Sequence, residues 1–236
     1  MRFATIYRPT ALFSLKNSIA TNSGAKSLFL PSPYAIKMAI LNQAITTEGI
    51  NFNGKHKLYF DCIKEMQIEY RIKGGICINN AFVKILKPER PDGKEEGESI
   101  GFSRTVAFRE YIHLTGDLEI IFSHKRTDLS DILIPFLQKY LHKINYFGKR
   151  GCFFQFIEYR ENPSEPNVVP FNKSYFTGGI LQKYDDFDDS AKNFSFDNVN
   201  SYTSFRTSRK DVILSLPIKQ EKTSKSYTYF KVSNEK

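Results

Sequence analysis

The feature that most restricts the fold of this chain is a pair of long strand-like runs joined by a polar connection. The runs cover residues 78–87 and 101–113 and contain many β-branched and aromatic side chains. The connection at residues 88–99 is highly charged and contains Pro91-Asp92-Gly93, a sequence that favours a turn. The pattern predicts a long β-hairpin that projects from a sheet.

The second arm of this hairpin mixes cationic and apolar residues. Because side chains alternate along a strand, Arg104 and Phe108 lie on one side of the arm and Arg109 lies on the other. Neither side is apolar enough to form a dry core. We therefore expect the arm to be exposed and to contact a binding partner.

Helical patterns occur in three other regions. Pro31-Ser32-Pro33 supplies an N-cap and a proline at the first helical position, and the apolar run at residues 34–45 then predicts a buried helix. Mixed patterns predict further helices within residues 54–66 and 128–144.

The rest of the chain is predicted to form a loop and several strands. The sequence of residues 10–30 predicts a long, basic and partly ordered loop. Further strands are predicted at residues 2–7, 67–72, 117–123, 152–159, 211–216 and 226–232.

The composition is that of a folded protein without a membrane span. The chain has 236 residues, 41% of them hydrophobic, which excludes a disordered or fibrous chain and is long enough to bury a sizeable core. No apolar window is long enough for a membrane helix, and the N-terminus does not resemble a secretory leader. Three scattered cysteines do not form a disulfide framework, so we expect a cytoplasmic protein.

The net charge of +9 is distributed unevenly along the chain. Residues 1–47 contain five basic and no acidic side chains, and residues 123–160 and 201–236 are also basic. Such blocks, interleaved with 21 Phe and 13 Tyr, suit single-stranded nucleic acid, because cations pair with phosphates and aromatic faces stack on bases. The alternative is ordinary mild basicity with the aromatic residues in the core.

Residues 161–200 are acidic, in contrast to the segments on either side. We expect this segment to face away from an anionic partner. Its four aspartates at residues 185–189 do not have the spacing of a calcium-binding loop, so we expect them in a solvated loop.

A glycine-flanked basic pair follows the third predicted helix. Gly148 and Gly151 enclose Lys149 and Arg150, so backbone amides and two cations could meet one phosphate together. The same sequence is also that of an ordinary helix-to-strand turn. Both interpretations stay open at this point.

Motifs of the common enzyme classes are missing from the sequence. It contains no phosphate-binding glycine loop, no zinc-protease or paired-cysteine motif and no serine-hydrolase motif, so we expect no catalytic residue, metal or cofactor. His56, His124 and His142 each stand beside a cation, a combination that metal-independent RNA cleavage can use. Because neighbouring side chains point apart, we interpret these and His113 as solvated surface residues.

Four segments in a fixed order resemble a known family. They are residues 29–41 (FLPSPYAIKMAIL), 108–114 (FREYIHL), 118–122 (LEIIF) and 146–154 (YFGKRGCFF). Preceded by a strand and a basic loop, this order resembles the fifth CRISPR-associated (Cas) family. That family is the repeat-associated (RAMP) subunit that caps the 5′ end of the guide RNA in type I CRISPR effector complexes, or Cascade. The resemblance covers residues 2–160.

The resemblance implies an α+β fold. It places a ferredoxin-like domain of RNA-recognition type at residues 1–150, a protruding hairpin thumb near residues 86–102 and a smaller C-terminal β-region at residues 151–236. It implies a non-catalytic Cascade subunit that binds the 5′ handle of the guide RNA (crRNA) and helps to start the backbone filament for RNA-guided DNA recognition. The implied partners are the crRNA handle, the backbone and large subunits, and target DNA through the assembled complex.

Carried onto this sequence, the handle-binding positions fall on the basic loop, the first helix, the base of the hairpin and the glycine-flanked turn. The candidate RNA-binding residues are Arg8, Lys16, Lys26, Ser32, Lys37, Arg104, Phe108, Arg109, Tyr146, Lys149 and Arg150. One branch of the family cleaves precursor crRNA with a tyrosine, a lysine and a histidine, so an endoribonuclease is the alternative function. A basic protein-interaction module is a second alternative.

Overall fold

The computed structural model describes residues 1–16, 26–89, 101–172, 178–199 and 208–233, apart from the side chains of Asn53 and Thr127. Over these residues the protein combines α-helices with antiparallel sheets, in agreement with the predicted α+β class. The helices are α1 (Pro33–Glu48), α2 (His56–Glu65) and α3 (Ser130–Leu141). The strands are β1 (Arg2–Pro9), β2 (Leu15–Lys16), β3 (Ser27–Leu28), β4 (Gln67–Ile72), β5 (Gly75–Pro88), β6 (Phe102–Leu114), β7 (Leu118–Ser123), β8 (Phe154–Arg160), β9 (Val169–Pro170), β10 (Ile180–Phe187), β11 (Arg209–Leu216), β12 (Ile218–Thr223) and β13 (Tyr227–Val232).

The central sheet has the strand order β4-β7-β1-β8, with every neighbouring pair antiparallel. The inner strand β1 places Tyr7 opposite Leu118 of β7 and Phe156 of β8. The Tyr7 hydroxyl donates a 2.6 Å hydrogen bond to the carbonyl of Leu141 at the end of α3, which packs against α1. The four strands predicted for these segments are confirmed, with small shifts of their ends.

A second sheet contains the hairpin and the C-terminal strands, in the order β12-β13-β5-β6. The two predicted arms are β5 and β6, which pair from Ile76 opposite Leu114 to Pro88 opposite Phe102. The predicted turn at residues 91–93 lies outside the described residues. The predicted strand β13 pairs with β5, whereas β12 is not predicted because its run of exposed polar residues has no apolar alternation.

The acidic segment differs from its prediction. The expected solvated loop is wrong for Asp185 and Asp186, which lie in β10 and are each 8% exposed. β10 belongs to a third sheet of order β10-β11-β9. These carboxylates tolerate burial because each is paired with a cation, Asp185 with Arg209 and Asp186 with Lys37.

Helix α1 begins where its sequence predicts. Ser32 is the N-cap, and its hydroxyl accepts a hydrogen bond from the backbone N–H of Ala35 at 3.2 Å. One side of the helix, with Ile36 and Ile40, is completely buried. The other side, with Ala35 and Met38, is only half-buried. The expected buried helix is therefore covered on one side, and its second side lines a cavity.

One hydrophobic core extends through the described residues. Phe3, Phe60 and Phe230 belong to the same cluster of buried side chains. Strands from both sides of the predicted boundary at residue 150 share sheets, because β8 pairs with β1 and β13 pairs with β5. Among the described helices, none has the length and apolar character needed to cross a membrane.

Candidate nucleic-acid interface

A cavity of about 620 Å³ opens beside α1, between the β2–β3 ribbon, the base of the hairpin and the turn after α3. We call it the α1 groove and define it by Lys16, Tyr34, Met38, Arg109, Lys149 and Arg209. Five of the candidate RNA-binding residues line it: Lys16, Ser32, Arg109, Tyr146 and Lys149. The fold thus brings candidates from four separate segments to one site.

The half-buried side of α1 forms the floor of the α1 groove. Its members share one helix side, since they recur at intervals of about four residues. They are Tyr34, Ala35, Met38, Ala39, Asn42 and Gln43. The floor is therefore apolar over most of its length and ends in two side-chain amides, which can both donate and accept hydrogen bonds.

The β2–β3 ribbon holds Lys16 at the groove. Lys16 is opposite Ser27, and the Ser27 hydroxyl accepts a hydrogen bond from the backbone N–H of Leu15 at 2.9 Å. The backbone N–H of Ser27 in turn donates to the carboxylate of Glu110 at 2.8 Å. Since Glu110 follows Arg109 in β6, these bonds join the basic loop to the base of the hairpin.

The glycine-flanked turn positions Lys149. Gly148 and Gly151 have φ angles of 68° and 103°, which glycine adopts without the strain of a side chain. The backbone N–H of Cys152 donates to the carbonyl of Lys149 at 3.0 Å and closes the turn. A Cβ atom on Gly148 would lie 3.0 Å from Leu15 Cδ2, so the turn packs directly on the ribbon. The segment is a helix-to-strand turn that also places a lysine in the groove.

Arg209 enters the groove from the third sheet. Its Cζ lies 3.8 Å from the ring centroid of Tyr34, within cation–π distance, and its Nη1 donates to Asp185 Oδ2 at 2.9 Å. Phe187 meets Tyr34 edge-on, with the ring centroids 5.3 Å apart. The guanidinium is therefore fixed by an aromatic ring and a carboxylate, while 40% of the Arg209 side chain stays exposed.

The other basic residues of the groove are not neutralised. Lys16, Arg109 and Lys149 form no ion pair with any residue in the described part of the chain. The carboxylate in the lining, Asp185, is paired with Arg209. A concave surface with low-dielectric walls concentrates the field of such cations, so the groove attracts anions.

Two other basic residues of the N-terminal block bind carboxylates outside the groove. Arg8 and Asp117 form a bidentate pair, with Nε–Oδ1 and Nη2–Oδ2 distances of 2.8 and 3.1 Å. These hydrogen bonds hold the pKa of Asp117 below its usual value. Lys37 is 1% exposed, and its Nζ lies 2.8 Å from Asp186 Oδ1. The N-terminal block therefore presents less free charge than its sequence indicates.

Arg104 and Phe108 lie on the side of the hairpin opposite Arg109. Phe108 is 60% exposed and contacts Phe82 on the neighbouring strand, with ring centroids 4.9 Å apart. The exposure predicted for the second arm is thus confirmed on this side, whereas Ala107 and Ile112 are buried on other parts of the arm. We call this side the hairpin face and define it by Phe82, Lys84, Leu86, Phe102, Arg104, Val106 and Phe108. Lys26 and Arg150 are also exposed outside the groove lining.

The sequence candidates omit most of the groove lining, including four residues with polar or aromatic side chains: Tyr34, Asn42, Gln43 and Arg209. The first three carry a usable signal, because polar groups recur on one side of an otherwise apolar helix. Arg209 has no such signal, because only the tertiary fold brings β11 next to α1.

None of the four histidines lines the groove. His113 and His142 are exposed, as expected. The expectation is wrong for His124, which is 5% exposed and whose Nδ1 accepts a hydrogen bond from the backbone N–H of Arg126 at 3.1 Å. His124 is buried because it is the residue directly after β7, whose side chains are almost all buried.

Comparison with known proteins gives a relationship in sequence. Over 204 residues the chain is 26% identical to a protein from Archaeoglobus fulgidus named CRISPR-associated protein Cas5, and the match covers 84% of this chain and 83% of that protein. A crystal structure of a CRISPR protein from Archaeoglobus fulgidus is similar over 99% of this chain and 92% of that one, with 11% identity and a TM-score of 0.46. No family model matches the chain.

Proposed function

This chain is homologous to a Cas5 protein, which supports a CRISPR-associated role, and on that premise we propose that it binds the 5′ handle of the guide RNA as a non-catalytic subunit of a type I CRISPR effector complex. The handle lies in the α1 groove. One observation carries the proposal: an apolar floor stands beside the unpaired cations Lys16, Arg109 and Lys149. Single-stranded RNA needs both, because its bases stack and its phosphates pair with cations.

The order of elements supports the fold that this proposal requires. The central sheet and its helices follow the chain as β1, α1, β4, β7, α3 and β8, and the sheet order is β4-β7-β1-β8. This order supports a βαββαβ arrangement of the ferredoxin-like kind, with α2 and the hairpin as additions. We infer that the chain contains an RNA-recognition domain of this type.

The middle of this sheet is covered on the face that lies away from the helices, where Ala4, Ile6, Glu119 and Ile121 are buried, which favours the groove as the site for bases. Tyr7 points toward α3, so the neighbouring Ile6 and its partner Glu119 point to the opposite face. Glu119 is 1% exposed and accepts a hydrogen bond from the backbone N–H of Ser164 at 3.0 Å. RNA-recognition modules stack bases on this face, but here the segment after β8 covers it.

We propose that the hairpin is the thumb of the subunit. Its exposed aromatic and cationic residues, among them Phe108 and Arg104, suit contact with the guide where the guide leaves the groove. We propose that the assembled complex, with its backbone and large subunits and its target DNA, forms around this guide in the cytoplasm.

The histidines support a non-catalytic role. RNA cleavage by general acid–base chemistry needs a general acid and a general base, both within hydrogen-bond reach of one phosphate. His124 is buried, and none of the four histidines lines the groove in which we place the RNA. Cleavage by the purified chain in the presence of EDTA would contradict this part of the proposal.

The test of the proposal measures binding of the full chain to the RNA that copurifies with the assembled complex. We expect Arg109→Glu and Lys149→Glu each to weaken binding at least about tenfold, and Lys149→Ala to reduce the slope of log affinity against log salt by about 1. Lys219→Glu is the matched control, since Lys219 is exposed on β12 outside the groove. The proposal is wrong if no RNA copurifies or if the groove variants bind like the control.

A further inference from the structure

We infer that Arg209, Tyr34 and Asp185 form a site for one unpaired nucleobase of the RNA, which stacks on the guanidinium of Arg209. The inference rests on the proposed function, because it states how one nucleotide of that RNA is recognised. It adds residues from β10 and β11, in the acidic and C-terminal segments, to a site otherwise built by the N-terminal segments.

The guanidinium of Arg209 is fixed before any ligand binds. Tyr34 lies beneath it, with 3.8 Å between Cζ and the ring centroid, and Phe187 supports Tyr34 from the side at 5.3 Å. Phe187 is completely buried and stands opposite Arg209 in the β10–β11 pair. The plane is therefore held by the core, and a ligand that stacks on it loses little side-chain entropy.

The open part of Arg209 faces a cavity of suitable size. The side chain is 40% exposed and lines the α1 groove, whose volume is about 620 Å³. Guanidinium planes stack on nucleobases in the same way as aromatic side chains do. A base in this position would extend the existing stack of Tyr34 and Arg209 by one layer.

The pairing with Asp185 favours a base over a phosphate at this point. Asp185 Oδ2 lies 2.9 Å from Nη1 of Arg209, so the two charges largely cancel. A phosphate would be repelled by this carboxylate, whereas a base with an exocyclic amino group can donate to it. The site therefore accepts the ring and the N–H donors of a base more readily than a phosphate.

The experiment is an abasic scan of the bound RNA. Synthetic RNAs of about eight nucleotides, taken from the 5′ end of the copurifying guide, carry one abasic position each, and their affinities for the full chain are compared. For the unmodified chain we expect one position at which removal of the base weakens binding about tenfold.

Arg209→Lys keeps the positive charge and removes the stacking plane. We expect it to bind the intact RNA about tenfold more weakly, with an unchanged salt slope, and to show no further loss at the sensitive abasic position. Tyr34→Leu tests the same stack from the other side and should give the same loss, while Tyr34→Phe should bind like the unmodified chain. Lys149→Ala is the control, because it should lower the salt slope and keep the abasic effect.

The outcomes separate this inference from the proposed function. If the unmodified chain binds RNA but Arg209→Lys and Tyr34→Leu keep its abasic profile, the base site is wrong and the proposed function stands. If the unmodified chain shows no salt-dependent RNA binding, both are wrong. Urea unfolding of each variant verifies that the protein measured is folded.

Discussion

Lys37 and Asp186 form an ion pair inside the core. Burial lowers the pKa of Lys37 and raises that of Asp186, and each charge opposes the shift of the other. The Lys37 ammonium also donates to the carbonyl of Lys64 at 3.1 Å and lies 5.5 Å from the ring centroid of Phe187. This pair explains how the Asp186 carboxylate is tolerated beside the buried Phe187, in a segment with the sequence of a solvated loop.

Removal of one partner should therefore be costly. We expect Asp186→Ala to lower the free energy of unfolding by about 3–5 kcal/mol, because it leaves a buried ammonium without a counter-charge. The double variant Lys37→Met with Asp186→Leu should lose much less, since no charge stays buried. Urea unfolding of the RNA-free protein measures both.

Asp211→Ala is the control for this prediction. Asp211 lies in the same sheet and pairs with Lys183, but its side chain is 57% exposed, so the expected change is below about 1 kcal/mol. An Asp186→Ala variant as stable as this control would contradict the buried-pair argument. Because Lys37 does not line the α1 groove, the double variant should bind RNA like the unmodified chain.

Among the elements, the turn at Gly148 has a backbone conformation on which both the stability of the fold and the position of Lys149 depend. We expect Gly148→Ala to destabilise the fold by about 1–2 kcal/mol, because alanine is strained at positive φ, and its Cβ would press on Leu15 Cδ2. Movement of the turn displaces Lys149, so RNA affinity should fall severalfold as well. Urea unfolding and RNA titration measure the two effects.

Gly54→Ala separates these two effects. Gly54 has a φ angle of 85°, and a Cβ there would meet nothing within 4 Å. We expect a similar loss of stability from backbone strain, with unchanged RNA affinity. If both variants weakened RNA binding equally, the turn would have no special role in the groove.

The elements that the sequence predicts are those with local signals. The start of α1 follows from Pro31-Ser32-Pro33, and the arms of the hairpin follow from their own residues. The groove is only partly predictable in this way. The polar groups of Tyr34, Asn42 and Gln43 mark one side of α1, but the apolar residues between them cannot be distinguished in the sequence from a second buried side, and Arg209 reaches the groove only through the tertiary fold.

On the scale of the whole molecule, the sheets pair strands from residues 1–150 with strands from residues 151–236. β8 pairs with β1, β13 pairs with β5, and the buried side chains form one cluster. The segmental charge of the sequence is redistributed by these contacts, since Lys37 and Arg209 are paired with Asp186 and Asp185. The sequence alone therefore does not show which basic side chains are neutralised by an ion pair, whereas the folded protein does.

We expect a fragment of residues 1–150 not to fold cooperatively by itself. It lacks β8 and β13, so it leaves ladder groups of β1 and β5 unpaired and removes Phe187 and Phe230 from the core. Near-UV circular dichroism and urea unfolding should show no sharp transition. Addition of a separate fragment of residues 151–236 should restore the transition, and a cooperative transition of residues 1–150 alone would contradict the prediction.

The pairing of β13 with β5 also sets an order of events during synthesis. Tyr227 is the partner of Asn79, so about 150 residues, or on the order of ten seconds or more of translation, separate the two strands as they leave the ribosome. Throughout that interval β5 has β6 on one side and an open edge on the other. The nascent chain therefore exposes that edge to aggregation until β13 has been synthesised, and only then can the second sheet be completed.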